Sequence, residues 1–346
     1  IALCGAFSYM ELAARFPRSG GEYNFLTQLF HPSLGFAAGL ISATVGFAAP
    51  VALGAMAFEK YLGSIFPSLP HMLPACSVVF ATSVWHAMTL RSGSLFQNLV
   101  TGLNLLLIAS FVIAGFLLAD PQPIRFVPQP GDLGLMTGSS FAVSLMYVMY
   151  AYSGWNAIVY ILDEVNDMRR AVRFSLIFGT LTVMALYVFL NAVFLYSTPV
   201  LELQGQIDVA SVAAGWIFGA RGSQITSLLI CVGLVAFISS SMWVGPRVSQ
   251  IIGQDLPLLS FLSRTTSQGV PLTALIIQLS IVLILILTST FEHVLLYTQF
   301  TLVLCSFLCV LGLILRYRGV NVPQECRCPG YPLTPIVFLA MSLFMM

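Results

Sequence analysis

Apolar runs of bilayer length recur from one end of the chain to the other, and this restricts its fold more than any other feature. A helix needs about 20 predominantly apolar residues to cross the hydrocarbon core. Ten segments of this kind are legible: 1–16, 34–62, 73–89, 95–118, 138–162, 174–198, 223–248, 271–290, 293–315 and 331–346. The runs are continuous rather than alternating, which predicts helices and argues against a membrane barrel. Only 8% of the residues are charged, and 58% are hydrophobic. A water-soluble domain carries about 25% charged residues, so lipid is the expected solvent for most of this surface. The expected fold is an all-α integral membrane protein in which residues 1–346 form one transmembrane domain. Segment 34–62 exceeds the bilayer thickness and is expected to tilt. Ile1 and Met346 both fall inside apolar runs, so the two end segments read as cut.

If the segments cross in turn, successive loops fall on opposite sides. The loops at 17–33, 90–94, 163–173, 249–270 and 316–330 share one side. Eleven basic residues lie in or beside them, among them Arg18, Arg91, Arg169, Arg170, Arg173 and Arg318. The other side receives three: Lys60, Arg125 and Arg221. The positive-inside rule assigns the first side to the cytoplasm. The opposite loops carry Asp120, Asp132, Glu202 and Asp208. Loop 119–137 holds Pro121, Pro123, Pro128 and Pro130 and is expected to be stiff and extended. A short interfacial helix is expected around Val209–Phe218.

No basic stripe points to nucleic acid. The net charge of +1 says nothing about partners. Enzyme signatures are missing: there is no His-Glu-x-x-His, no phosphate-cradling glycine loop and no nucleophile elbow. No cofactor or metal is expected. Of seven cysteines, five lie in apolar runs, where a thiol behaves as a small hydrophobe. Cys326 and Cys328 form a close pair, but only Glu325 stands nearby as a further zinc ligand. His31, His71, His86 and His293 are scattered near segment ends and read as interfacial.

Segment 138–162 carries the most chemistry. It begins as an ordinary apolar helix and then reads Tyr150-Ala151-Tyr152-Ser153-Gly154-Trp155-Asn156. Gly costs about 1 kcal/mol against Ala in a helix, and Ser competes for backbone hydrogen bonds. A helix broken here would face protein or a water-filled cavity, because lipid leaves backbone groups unsatisfied. Secondary transporters bind substrate at such breaks. The same residues also suit an unbroken helix with a small-residue notch for packing. Other polar residues lie inside apolar runs: Glu11 with Arg15 four residues on, Asn104, and Ser239-Ser240-Ser241. Asp163 and Glu164, adjacent in sequence, cannot face each other on a helix. Ion pairing between loops is expected of them.

Three blocks give the chain a family resemblance. Cys4 to Tyr23, with Gly20-Gly21-Glu22-Tyr23 at its end, is similar to the second helix and following loop of the amino acid–polyamine–organocation superfamily, within it the L-type amino-acid transporter-like permeases. Tyr150 to Asn156, followed by Asp163-Glu164, resembles that family's broken sixth helix, and Gly245-Pro246-Arg247-Val248 the end of its eighth. The resemblance implies a LeuT-type inverted five-helix repeat with helices 2–11 of twelve present, the first and last missing. It implies a plasma-membrane transporter that moves amino acids by alternating access, as exchanger or symporter. The expected substrate site is Tyr150, Tyr152, Ser153, Gly154, Trp155 and Asn156 on the sixth helix, with Ser42, Val45 and Gly46 on the third. Tyr150 matches a gating aromatic. The missing first helix would bind the substrate carboxylate.

The chain also departs from the pattern. Many relatives carry Lys where this chain has Asn104, so Asn104, Ser239 and Ser240 become the candidates for ion coupling, with the ion left open between sodium and proton. Residues 167–173 lack the usual prolines. Animal relatives pair with a glycoprotein through an extracellular Cys, and loop 63–72 has none; the partner subunit stays unknown. Two other functions fit the same fold, a non-transporting amino-acid sensor and a polyamine or organocation permease. An intramembrane enzyme fits least, because no nucleophile, base and stabiliser come together.

Overall fold

The computed structural model describes residues 1–88, 93–123, 130–165, 167–267, 269–316 and 322–346. Among the described residues there is no strand. The helices are α1 (Ala2–Arg15), α2 (Glu22–Leu29), α3 (Pro32–Ile65), α4 (Leu73–Met88), α5 (Gly93–Leu118), α6 (Ser139–Ala151), α7 (Met168–Ser197), α8 (Val209–Asp255), α9 (Leu272–Thr288), α10 (Phe291–Leu315) and α11 (Leu333–Met345). Short helical turns fill several connections. Every apolar segment read from the sequence overlaps one of these helices, although α6 fills only the first part of 138–162. By length and composition, α3, α5, α7, α8 and α10 are long and apolar enough to cross a membrane. Their outward side chains suit lipid: Leu106 and Leu117 on α5 are 70% and 77% exposed.

The structure changes several boundaries. Residues 17–33, read as a loop, contain α2, which buries Tyr23, Phe25, Leu26 and Leu29. The mixture of polar and apolar residues hides this helix from a hydropathy reading. Asp167 caps α7 by accepting from Arg170 N at 3.3 Å, so half of the 163–173 loop is helical. His31 caps α3, and Pro32 opens it. A short helix is present where one was expected around Val209–Phe218, set off from the rest of α8 by Gly219 with φ 75°. Residues 89–92, 124–129, 166, 268 and 317–321 lie outside the described residues. Arg91, Arg125, Gln129, Asn166 and Arg318 are among them.

Two apolar clusters support the bundle. One joins α1, α2, α10 and the stretch after α6 through Tyr9, Phe25, Leu29, Val159, Cys309 and Leu313. The other joins α3, α4, α8 and α9 through Val51, Ala55, Val79, Ile238, Met242 and Ile286. Buried polar links tie α1 to the connection before α11. Glu11 Oε1 accepts from Arg15 Nε at 3.2 Å, and its Oε2 accepts from Cys328 N at 2.8 Å. Arg15 Nη1 donates to Arg316 O at 3.1 Å. Cys328 thus serves a backbone contact, and no metal-holding group of His, Cys, Asp and Glu occurs among the described residues.

Loop contacts differ in part from the expectation. Asp163 bonds to the Ser19 backbone and side chain. The side chain of Glu164 lies outside the described residues; among those described, Arg173 pairs with Glu325 at 3.6 Å.

Candidate functional site

Helix α6 stops at Ala151, and regular α-helix does not resume before α7. Between them the backbone bonds span three residues rather than four. Ser153 N donates to Tyr150 O at 2.8 Å, Ala157 N to Gly154 O at 2.9 Å and Val159 N to Asn156 O at 3.0 Å. Gly154 has φ +88°, a left-handed backbone that an L side chain rarely adopts. The interruption opens at Tyr152–Asn156, where small, polar and aromatic residues replace the apolar run, and continues through 3-10 turns toward α7.

The interruption faces two cavities. The larger, of about 550 Å³, falls in the usual range for small-molecule sites, roughly 300–1,000 Å³. Ser153 to Ile158 form one wall. Gly46, Phe47 and Pro50 of α3 form a second, and Ser240, Ser241 and Val244 of α8 a third. Gln299 of α10 and Ser342 of α11 complete the lining. The smaller cavity, of about 250 Å³, lies on the α7 side, between Tyr152, Gly154, Ser175, Thr180 and Tyr187.

Several polar atoms at these walls lack partners. Gln299 Oε1 and Ser342 Oγ beside the larger cavity, and Thr180 Oγ1 beside the smaller, are buried without a hydrogen bond. Most buried polar groups are satisfied, so these three are exceptions, and all belong to residues that line the cavities.

The expected site residues divide. Ser153, Gly154, Trp155 and Asn156 line the larger cavity together with Gly46. Tyr152 lines the smaller and meets Tyr187 edge-on, ring centroids 5.3 Å apart. Tyr150 packs with Val45 against Ala49, Leu53 and Leu295, beside the cavity rather than on its wall. Ser42 is 4% exposed and opens a π-helical turn, Ser42–Gly46, inside α3. The three ion-coupling candidates are not brought together. Ser240 lines the larger cavity, and its hydroxyl donates to Phe237 O at 3.1 Å. Ser239 Oγ lies 2.8 Å from His86 Nε2, facing α4. Asn104 sits against Gly233.

Sequence reasoning missed Glu22 as a site residue. It is 3% exposed and lines the larger cavity. Its carboxylate accepts from Tyr9 Oη at 2.9 Å, from Asn156 Nδ2 at 2.6 Å and from Tyr160 Oη. All three donors are neutral. The available signal was an acidic residue directly after two glycines, Gly20-Gly21-Glu22.

A family model described as amino acid permease matches residues 1–346. The chain belongs to the amino acid permease family. Its relatives are transporters. The mouse protein named b(0,+)-type amino acid transporter 1 is 26% identical, over all of this chain and 72% of its own length. The serine/threonine exchanger SteT of Bacillus subtilis is 24% identical, over all of this chain and 80% of its own. The mouse large neutral amino acids transporter small subunit 2 is 25% identical, over all of this chain and 67% of its own. An all-α membrane permease fits the apolar helices and the cavity between them. Family membership also accounts for the lack of enzyme signatures.

Proposed function

We propose that this permease is a secondary transporter of amino acids, an exchanger or symporter working by alternating access, and that the interruption at Tyr152–Asn156 is its substrate site. One observation carries the reading: an unwound stretch, inside a permease-family bundle, forms the wall of a substrate-sized cavity. Unwound backbone needs hydrogen-bond partners where water is scarce. The ammonium and carboxylate of a zwitterionic amino acid supply them. Trp155 and Phe338, ring centroids 6.4 Å apart, provide the apolar side. We further propose that residues 1–346 are helices 2–11 of the LeuT-type repeat, and that the first helix of that fold enters the same cavity.

Counterflow in vesicles carrying the full-length protein tests the function. Labelled amino acid is expected to accumulate transiently against preloaded unlabelled amino acid. Binding without counterflow would turn the reading to a sensor. Repeating uptake with a sodium gradient and with a proton gradient separates the two coupling ions.

Sidedness is tested separately. With loops 17–33 and 163–173 in the cytoplasm and loop 119–137 outside, an impermeant thiol reagent added to intact cells is expected to label Gln129→Cys and spare Asn166→Cys. Preferential labelling at Asn166→Cys would reverse the orientation.

A further inference from the structure

Residues 19–22 run beside residues 156–163 in the opposite direction, and hydrogen bonds join them along their length. Ser19 N donates to Asp163 Oδ2 at 3.2 Å, and Asp163 N donates back to Ser19 Oγ at 2.8 Å. Gly21 N donates to Val159 O at 3.1 Å. Glu22 then accepts from Tyr160 and from Asn156. The approach depends on Gly21: its φ is +56°, and a Cβ there would overlap the Tyr160 ring. Tyr9, donating from α1, holds Glu22 from behind, and Cys309, fully buried, belongs to the same packed cluster.

The stretch after the break needs such a hold. Turns bonded every three residues are short-lived alone, because their hydrogen-bond geometry is poor. A buried carboxylate, for its part, is costly unless it is hydrogen-bonded. The two needs are met together here. Bonds to a charged acceptor are roughly twice as strong as neutral ones. Both Glu22 oxygens are engaged, Oε1 by Tyr9 and Asn156 and Oε2 by Tyr160. Its charge therefore acts on the cavity through those side chains.

We propose that Ser19–Glu22 is a clasp for the post-break segment and that Glu22 is a positioning residue for transport, orienting Asn156 and Tyr160 and so setting the shape of the substrate site. The proposal rests on reading the break as that site. A neutral amide in place of Glu22 leaves three donors competing for one carbonyl oxygen, and the segment should loosen.

The test uses full-length protein in proteoliposomes, with labelled L-serine and L-leucine as probes. Alkylation of Cys309 by N-ethylmaleimide, read by peptide mass spectrometry, reports opening of the clasp. Glu22→Gln is expected to raise KM about tenfold and to speed Cys309 alkylation, the scale of losing a charge-assisted hydrogen bond. Ser19→Ala, which does not line the cavity, is expected to raise KM by about threefold and also to speed alkylation. Glu22→Asp keeps the charge and should recover part of the loss. Wild-type KM and wild-type alkylation in both Glu22→Gln and Ser19→Ala would overturn the clasp. So would a fall in Vmax alone. If Glu22→Gln does not reach the membrane, Ser19→Ala carries the same comparison. If the wild type takes up neither probe, the substrate-site reading fails, while the alkylation rates still decide whether the clasp exists.

Discussion

Gly154→Leu is expected to abolish uptake while the protein still reaches the membrane. Gly154 holds a left-handed backbone, φ +88°, at the wall shared by both cavities. A leucine in that conformation costs about 1–2 kcal/mol. The strain disappears if the segment rewinds, and rewinding satisfies the backbone internally. Nothing stands within 4 Å of a Cβ built at this position, so the new side chain meets no clash and only the backbone strain opposes it. That open space is the cavity itself, and leucine would fill it. Displacing binding groups by about 1 Å can cost 100-fold in rate, so a loss of at least about that size is expected. Tyr150→Ala, beside the wall rather than on it, is expected to weaken uptake by less. Uptake of labelled amino acid, normalised to protein in the membrane, measures both. Full uptake by Gly154→Leu would rule out the break as the substrate site.

The second large effect is on stability. Glu11 and Arg15 have side chains 1% and 3% exposed, and Glu11 also holds the backbone of Cys328. Glu11→Ala leaves a buried guanidinium without its carboxylate, and breaking a buried pair in this way costs about 3–5 kcal/mol. It also frees the connection that leads into α11. A marked fall in the thermal-unfolding midpoint in detergent is expected, together with low abundance in the membrane. Glu11→Gln can still accept from Cys328 N and should fall between. A Glu11→Ala protein as stable as the wild type would show that the pair is hydrated, contrary to its burial.

The sequence carried the helices and the position of the break, and the reason is local. Hydropathy marks each bilayer-length run, and Ser153-Gly154 weakens the helix in which it stands. Contacts far apart in sequence were not legible. Glu22 meets Asn156 across 134 residues, and Glu11 meets Cys328 across 317. Nothing near Glu22 announces that the 17–33 connection folds back as a helix beneath the break. Asn104, Ser239 and Ser240 share polarity and depth in sequence, yet the helix faces that carry them point to different neighbours. Face is a property of packing, and a run apolar on all sides conceals it.

The π-helical turns Ser42–Gly46 in α3 and Ser175–Gly179 in α7 stand on either side of the break. In the first, Phe47 N reaches back five residues to Ser42 O at 3.1 Å. Such a turn holds one surplus residue, and each residue turns a helix by about 100°. The turn takes up that residue in place, so Phe47 and Pro50 keep the phase on the larger cavity that a regular helix one residue shorter would give them. Deleting one residue within 42–46 would make the helix regular and leave both side chains near the wall, whereas deleting one from a regular stretch of α3 before them would swing them by about 100°. These turns, invisible to hydropathy, are thus places where a permease of this build can gain or lose a single residue and still keep its cavity lining.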